Sequence, residues 1–247
     1  MFLEVKNLNK YYNSGNFFSK EKKQILKDVT FDVKEGEIFS IIGQSGAGKS
    51  TIGKILLGIE KKNSGDIMLM ERPLEEMVKK EVQMVFQDPY SSLNPAMKIG
   101  KILEEPLKVN GVKDKKEREE RVKSMLKEIG LEETCGGKYP SELSGGQRQR
   151  VVIGAAMILK PKLVVCDEPV ASLDLSIQNQ ILNLIKKFNK EYNTTFIFIS
   201  HDLGVVYNIS HRVLLLYKGV QEIRETVDFF RNPKSEYGKY FLDGIKV

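Results

Sequence analysis

Tryptophan is absent from this chain, and only two cysteines and two histidines occur among its 247 residues. Cys135 and Cys166 stand 31 positions apart with no Cys or His beside them at metal-ligand spacing, which excludes a disulfide framework and a zinc site built on paired cysteines. Long apolar runs are also missing. The longest mostly apolar stretch, Val151 to Leu159, has nine residues and is interrupted by Gly154, far short of the ~20 that a membrane-spanning helix needs. The start, Met1-Phe2-Leu3-Glu4-Val5-Lys6, has neither an apolar core nor a small-residue cleavage site, so the expectation is a protein of the reducing cytoplasm. Any membrane connection is expected to run through a partner.

What is present is ordinary globular material, 41% hydrophobic and 29% charged, with a net charge of +6. That charge suits nucleic acid, anionic lipid or a charged cofactor, but its distribution argues against a nucleic-acid stripe. Between Lys108 and Glu128 eight basic residues are mixed with five acidic ones, while Val122, Met125, Leu126 and Ile129 recur at helical spacing. The segment reads as a solvated helix with one packed face.

Val29, Phe31 and Val33 alternate as in a half-buried strand, expected to run antiparallel to Leu3 to Leu8. Short, mostly apolar runs follow at Ile38 to Ile42, Val82 to Phe86, Leu163 to Cys166, Phe196 to Ile199 and Val213 to Tyr217. Such runs predict strands buried on both faces. Helices are predicted over Lys49 to Gly58, Arg148 to Leu159 and Ser176 to Glu191, which together give an α/β core with a largely parallel sheet. From Asp88 to about Ser144 the rhythm breaks, with high charge, no clear strand and Asp88-Pro89 and Tyr139-Pro140 at the edges. This stretch reads as a helical insertion.

Gly43-Gln44-Ser45-Gly46-Ala47-Gly48-Lys49-Ser50, with Thr51 after it, has the spacing of a phosphate loop and stands between a predicted strand and a predicted helix. Glycines let backbone amides wrap phosphates, Lys49 reaches the terminal ones, and Ser50 offers a hydroxyl to magnesium. Asp167 and Glu168 follow the apolar run Leu163 to Cys166, at the strand edge where open α/β sheets bind ligands. Asp167 suits a magnesium shell and Glu168 an attacking water, although the pair could equally cap or salt-bridge a turn. Leu143-Ser144-Gly145-Gly146-Gln147 opens a helix with Ser144 and free amides, which is either an anion site or an N-capped helix.

In this order the elements resemble an ATP-binding cassette (ABC) ATPase over nearly the whole chain. The resemblance implies a P-loop NTPase core with an N-terminal antiparallel β subdomain and a helical insertion. It implies a single domain over residues 1–247, with 1–87 and 145–247 as catalytic core and 88–144 as helical subdomain. ATP and Mg2+ are the implied cofactors. In this family the signature of one subunit covers the nucleotide of another, so Ser144, Gly145, Gly146 and Gln147 are expected to complete a neighbour's site. Gln87 matches the glutamine that touches magnesium and water, and His201 the histidine that contacts the γ-phosphate. Ser172-Leu173-Asp174 matches the loop that crosses the dimer interface. Tyr12 matches the aromatic on which adenine stacks, with Tyr11 as a competing candidate. His211 matches no motif role and is expected at the surface.

Phe86-Gln87-Asp88-Pro89-Tyr90-Ser91-Ser92-Leu93-Asn94-Pro95, Tyr139-Pro140-Ser141-Glu142 and Gln147-Arg148-Gln149-Arg150 resemble the ATPases of bacterial peptide, nickel and metal-chelate importers. The implied partners are a second ATPase subunit, either a paralogue or another copy, two transmembrane permeases and an extracytoplasmic substrate-binding protein, with no nucleic acid. The implied location is the cytoplasmic face of the cell membrane, as a peripheral subunit. Asn232-Pro233-Lys234-Ser235-Glu236-Tyr237 keeps the Asn-Pro and Tyr of that group without its His-Pro, and the chain carries no cysteine-bearing tail, a pattern closer to the compact nickel-type members. A soluble cassette ATPase acting on DNA or ribosomes, and an exporter subunit, are the alternative readings.

Overall fold

The computed structural model describes residues 1–14, 21–76, 79–171 and 173–243. Along the chain, β1 (Leu3–Ser14), β2 (Glu21–Val33) and β3 (Ile38–Ile42) lead to α1 (Lys49–Leu56), β4 (Ser64–Leu69) and β5 (Arg72–Pro73). Next come β6 (Val82–Val85), α2 (Pro89–Ser92), α3 (Ile99–Val109), α4 (Lys115–Glu128), α5 (Gly145–Met157) and β7 (Leu163–Asp167). Then follow α6 (Leu175–Tyr192), β8 (Thr195–Ile199), α7 (Leu203–Ile209), β9 (Arg212–Tyr217), β10 (Val220–Glu225), α8 (Thr226–Arg231) and α9 (Glu236–Asp243). The residues divide into two compact units, Met1–Met77 with Thr195–Val247, and Val78–Thr194.

In the first unit β2, β1, β4 and β5 form an antiparallel sheet in that order. Leu3 pairs with Val33 and Val5 with Phe31, so the alternating apolar side chains of both strands share a buried face. The Phe31 ring stacks on Phe39 of β3 with centroids 5.6 Å apart. β3 runs parallel to both β8 and β9, and β10 turns back antiparallel on β9. Every residue of β3 and β8 is buried, as their mostly apolar runs predict for strands covered on both faces.

The amino end of β3 is held by polar contacts. The Ile38 N–H donates to Nδ1 of His211 at 2.9 Å, and the Arg212 guanidinium reaches Asp32 at 3.0 Å and Glu37 at 3.4 Å. His211 is exposed, as the sequence suggests, yet it also serves as a backbone acceptor. The segment lacking His-Pro is docked by another route. Glu222 of β10 accepts from the backbone N–H groups of Lys234 and Ser235, at 2.6 and 2.9 Å, and Tyr237 stacks on Tyr217 at 3.8 Å.

In the second unit β6 and β7 are parallel, from Val82 opposite Leu163 to Val85 opposite Cys166. Between them the described residues contain helices and turns and no strand, in keeping with a helical insertion. Val122, Met125, Leu126 and Ile129 are buried, so the packed face read from α4's periodicity is real. Glu104 of α3, 4% exposed, pairs with Lys101, Lys108 and Arg118, and Arg118 also donates to the carbonyls of Val112 and Lys113 ahead of α4. Burial works to raise the Glu104 pKa, but hydrogen bonds from Arg118, Lys101 and Lys108 outweigh it and bring the carboxyl down to about 2.

The structure departs from the sequence reading in one helix start and in several added elements. Helix α5 begins at Gly145, three residues before the predicted start, because Ser144 caps it and carries the two glycines into the first turn. β4, β5, β10 and α7 to α9 are additional elements that the apolar runs did not mark.

Candidate functional site

The strand β3 ends at Ile42 and α1 begins at Lys49, so the predicted phosphate loop fills the gap between a buried strand and a helix start. The loop turns on the Ala47 N–H, which donates to the Gln44 carbonyl at 3.1 Å, and it leaves Gln44, Ser45 and Gly46 exposed. Gly48 adopts φ +95°, and a Cβ there would stand 2.4 Å from Cδ2 of Leu26 and 3.2 Å from the Ile25 carbonyl oxygen. Only glycine allows this left-handed turn and this approach of β2 together. Lys49 is 7% exposed, and its ammonium donates to the carbonyls of Gly43 at 2.8 Å and Gln44 at 3.1 Å. The cation is thus held inside the loop curve. No side chain of the described residues caps α1, whose first turn carries Lys49, Ser50 and Thr51, and a helix start of this kind favours an anion.

His201 follows β8, two residues past Ile199, and Ile199 lies opposite Ile41 of β3. The loop and His201 therefore leave the sheet at the same, carboxyl-terminal edge. The local turn is built by Ser200, whose Oγ accepts from the Asp202 N–H at 3.0 Å, and by Asp202, which caps α7 through the Val205 N–H. His201 itself is exposed at this turn.

Tyr12 and Tyr11 occupy opposite faces of β1 because successive strand residues alternate. Tyr12 is half-buried, and the Lys10 ammonium lies 4.7 Å from its ring centroid. Tyr11 is 38% exposed, and its N–H donates to the Asn63 side chain at 2.8 Å.

In the second unit Val85 lies opposite Cys166, so the residues just beyond, Gln87 on one strand and Asp167 with Glu168 on the other, leave neighbouring strand ends. Asp167 and Glu168 are half-buried and Gln87 is exposed. Glu168 has φ +49°, a left-handed conformation that costs an ordinary residue on the order of 1–3 kcal/mol and that clusters at functional sites. Burial and then the adjacent Asp167 carboxylate push the Cys166 thiol far above its ordinary range, so it is an inert core group.

The signature residues form a capping box at the start of α5. The Gln147 N–H donates to Ser144 Oγ at 3.3 Å, and the Ser144 N–H donates to Gln147 Oε1 at 2.9 Å. Gly146 is buried against α6: a Cβ there would meet Cγ2 of Ile177 at 2.7 Å. Asp174 caps α6 by accepting from the N–H of that same Ile177 at 3.0 Å. The signature and the Asp174 turn are therefore packed together. Ser172 lies outside the described residues.

Among the described residues no cluster of three His, Cys, Asp or Glu side chains could hold a metal by itself. The candidate donors Ser50, Gln87 and Asp167 are oxygen ligands of different residue types. Oxygen donors of this kind are the type that hard cations take.

Sequence reasoning missed Lys10, which touches the Tyr12 ring, and the role of Ile25 and Leu26 at the phosphate loop. Lys10 stands two residues before Tyr12 on the same strand face, a signal that was available. The contact of Leu26 with Gly48 joins residues 22 positions apart and had none.

The family model for ABC transporter matches residues 26–171. The chain is 40% identical to the oligopeptide transport ATP-binding protein AppF of Bacillus subtilis, over 99% of this chain and 78% of that protein. It is 38% identical to the oligopeptide transport ATP-binding protein OppF of Haemophilus influenzae, over 100% of this chain and 79% of that one. Among solved structures, a dimeric ATP-binding cassette in a post-hydrolysis state bound to ADP and Pi matches with a TM-score of 0.79 and 30% identity, over 91% of this chain and 99% of that one. The cbiO1 protein from Clostridium perfringens, part of an ABC transporter complex, matches with a TM-score of 0.81 and 29% identity, over 94% of this chain and 91% of that one.

Proposed function

The chain belongs to the ABC transporter family, and from that premise we propose that it is the ATP-hydrolysing subunit of an importer for peptides. The observation that carries the peptide reading is the likeness to oligopeptide transport ATP-binding proteins over 99% or more of the chain. No helix of the described residues is long and apolar enough to cross a membrane, so the transport path is assigned to partner permeases.

In this reading residues 1–87 and 145–247 act as catalytic core and 88–144 as helical subdomain. The amides of Gly43 to Thr51 hold the phosphates of ATP, with Lys49 moving from the loop carbonyls to the terminal phosphates. Ser50, Asp167 and Gln87 would hold Mg2+, which would supply charge neutralisation for the phosphates of ATP. Glu168 orients the attacking water and accepts its proton, and His201 contacts the γ-phosphate. Tyr12 stacks on the adenine. Ser144, Gly145, Gly146 and Gln147 complete the site of a second ATPase subunit, a paralogue or another copy, and Asp174 supports that interface. Two permeases and an extracytoplasmic substrate-binding protein complete the assembly, with this chain on the cytoplasmic face of the membrane.

The test is reconstitution of the chain in vesicles with the permeases and binding protein that co-purify with it. Peptide-loaded binding protein should stimulate ATP hydrolysis and drive peptide uptake. Stimulation by nickel or a metal chelate and by no peptide would overturn the cargo assignment. Purification without any membrane partner would overturn the importer reading.

A further inference from the structure

Lys10 is an almost fully buried ammonium, 8% exposed, on β1 opposite Leu26 of β2, the strand that approaches Gly48 of the phosphate loop. Its Nζ donates to Glu60 Oε2 at 2.9 Å and to the Lys61 carbonyl at 2.7 Å, and its third direction carries the Tyr12 ring, 4.7 Å from the centroid. A cation over the face of a phenol ring is attracted by the ring's negative face, most strongly where water is excluded. Glu60 and Lys61 lie shortly beyond α1, the helix that starts at Lys49. One side chain thus joins an aromatic of β1 to the far end of the phosphate-loop helix.

The register of β1 on β2 gives the aromatic its place. Lys10 pairs with Leu26 and Tyr11 with Gln24, so Ile25 is a bulge residue opposite neither. Ile25 and Leu26 are the two residues that approach Gly48. Tyr12 stands two residues along β1 from the partner of Leu26, about 7 Å at the usual rise of a strand, on the same face as Lys10.

We infer that Lys10 is a positioning residue for base recognition: its ammonium, anchored by Glu60 and the Lys61 carbonyl, fixes the Tyr12 ring as the surface on which the nucleotide base stacks. This rests on the reading of Tyr12 as the base platform. With one ring face turned to Lys10, the opposite face is left for the base, and a ring already ordered loses less freedom on binding. Tyr11, on the other face of β1, is not held in this way.

The test measures equilibrium affinities of the full chain for ATP and for inorganic tripolyphosphate in Lys10→Met, Tyr12→Ala, the double variant and Lys10→Arg, with thermal unfolding recorded for each. Lys10→Met should weaken ATP binding about three- to tenfold, the range of a partly buried cation–ring contact, and leave tripolyphosphate binding unchanged. In the Tyr12→Ala background the same change should cost nothing further, and Lys10→Arg should recover most of the ATP affinity. Equal losses for ATP and tripolyphosphate, or additive losses in the double variant, would overturn the inference while leaving the platform intact. A Tyr12→Ala protein with undiminished ATP affinity would overturn the platform itself. Should Lys10→Met unfold at low temperature, Lys10→Gln, which keeps a donor for Glu60, takes its place: an equal loss of ATP affinity with and without the Tyr12 ring would refute the coupling.

Discussion

Replacing Gly48 by alanine should separate two effects that a phosphate-loop glycine usually combines. The added methyl would lie 2.4 Å from Leu26 Cδ2, 3.1 Å from Ile25 Cγ2 and 3.2 Å from the Ile25 carbonyl oxygen, on a residue at φ +95°. Overpacking costs on the order of 1–3 kcal/mol. Holding a side-chain-bearing residue at positive φ adds about 1–3 kcal/mol. The total of about 2–6 kcal/mol corresponds to a fall in Tm of roughly 5–20 °C for a chain of this size. Gly46 supplies the control, for it has φ +80° and nothing within 4 Å of a built Cβ. Gly46→Ala should therefore carry only the backbone strain of about 1–3 kcal/mol, a fall of roughly 2–10 °C. Both variants should weaken ATP binding, Gly46→Ala because its methyl stands on the exposed surface of the loop and Gly48→Ala because the loop itself must move. Scanning calorimetry with equilibrium ATP binding makes the comparison. Equal Tm losses in the two variants, or a Gly48→Ala protein with the parent's Tm, would refute the packing argument.

Glu168→Gln should keep ATP affinity within a few-fold and lower turnover by about two orders of magnitude or more, the scale of a lost general base; undiminished hydrolysis would remove Glu168 from its role. Ser144→Ala should cost about 1 kcal/mol through loss of the α5 cap. In mixed dimers it should impair nucleotide trapping in the partner's site rather than its own, and trapping lost at its own site would contradict the assignment. Glu104→Gln should destabilise the chain by about 1–3 kcal/mol, since three cations lose one carboxylate. Because the Glu104 pKa is lowered in the folded state, from 4.5 to about 2, its contribution is complete above about pH 4.5 and fades as pH falls towards 2. Denaturant unfolding should therefore find the variant converging on the parent across that window, and a constant gap would count against the pairing.

The elements legible in the sequence were those whose evidence is contiguous. β3 and β8 are built on mostly apolar runs, Ile38 to Ile42 with one serine and Phe196 to Ile199 with none, and both are fully buried strands. α4 announced its packed face through Val122, Met125, Leu126 and Ile129. β4, by contrast, begins Ser64-Gly65-Asp66 and buries only Ile67 and Leu69 firmly, so its strand character comes from pairing with β1 rather than from composition. β10, Val-Gln-Glu-Ile-Arg-Glu, has only two apolar residues three positions apart, and it is paired to β9 along its whole length. The start of α5 was hidden because Gly145 and Gly146 are poor helix formers, and the cap by Ser144 with Gln147 overrides that preference.

By itself the sequence determined which chemical groups are available and in what order, since a phosphate loop, a strand-end carboxylate pair and a capped glycine pair are each set by neighbours within a few residues. The family follows from that order. Only the tertiary structure decided why Gly48 admits no side chain, which depends on Leu26 and Ile25 of a different strand, and why Gly146 does not, which depends on Ile177 of α6. It also decided that Glu168 sits at positive φ and that Lys10 is anchored by Glu60 and the Lys61 carbonyl, some 50 residues away. These are contacts and dihedral angles imposed by packing between distant segments, and a linear pattern of residue types does not encode them.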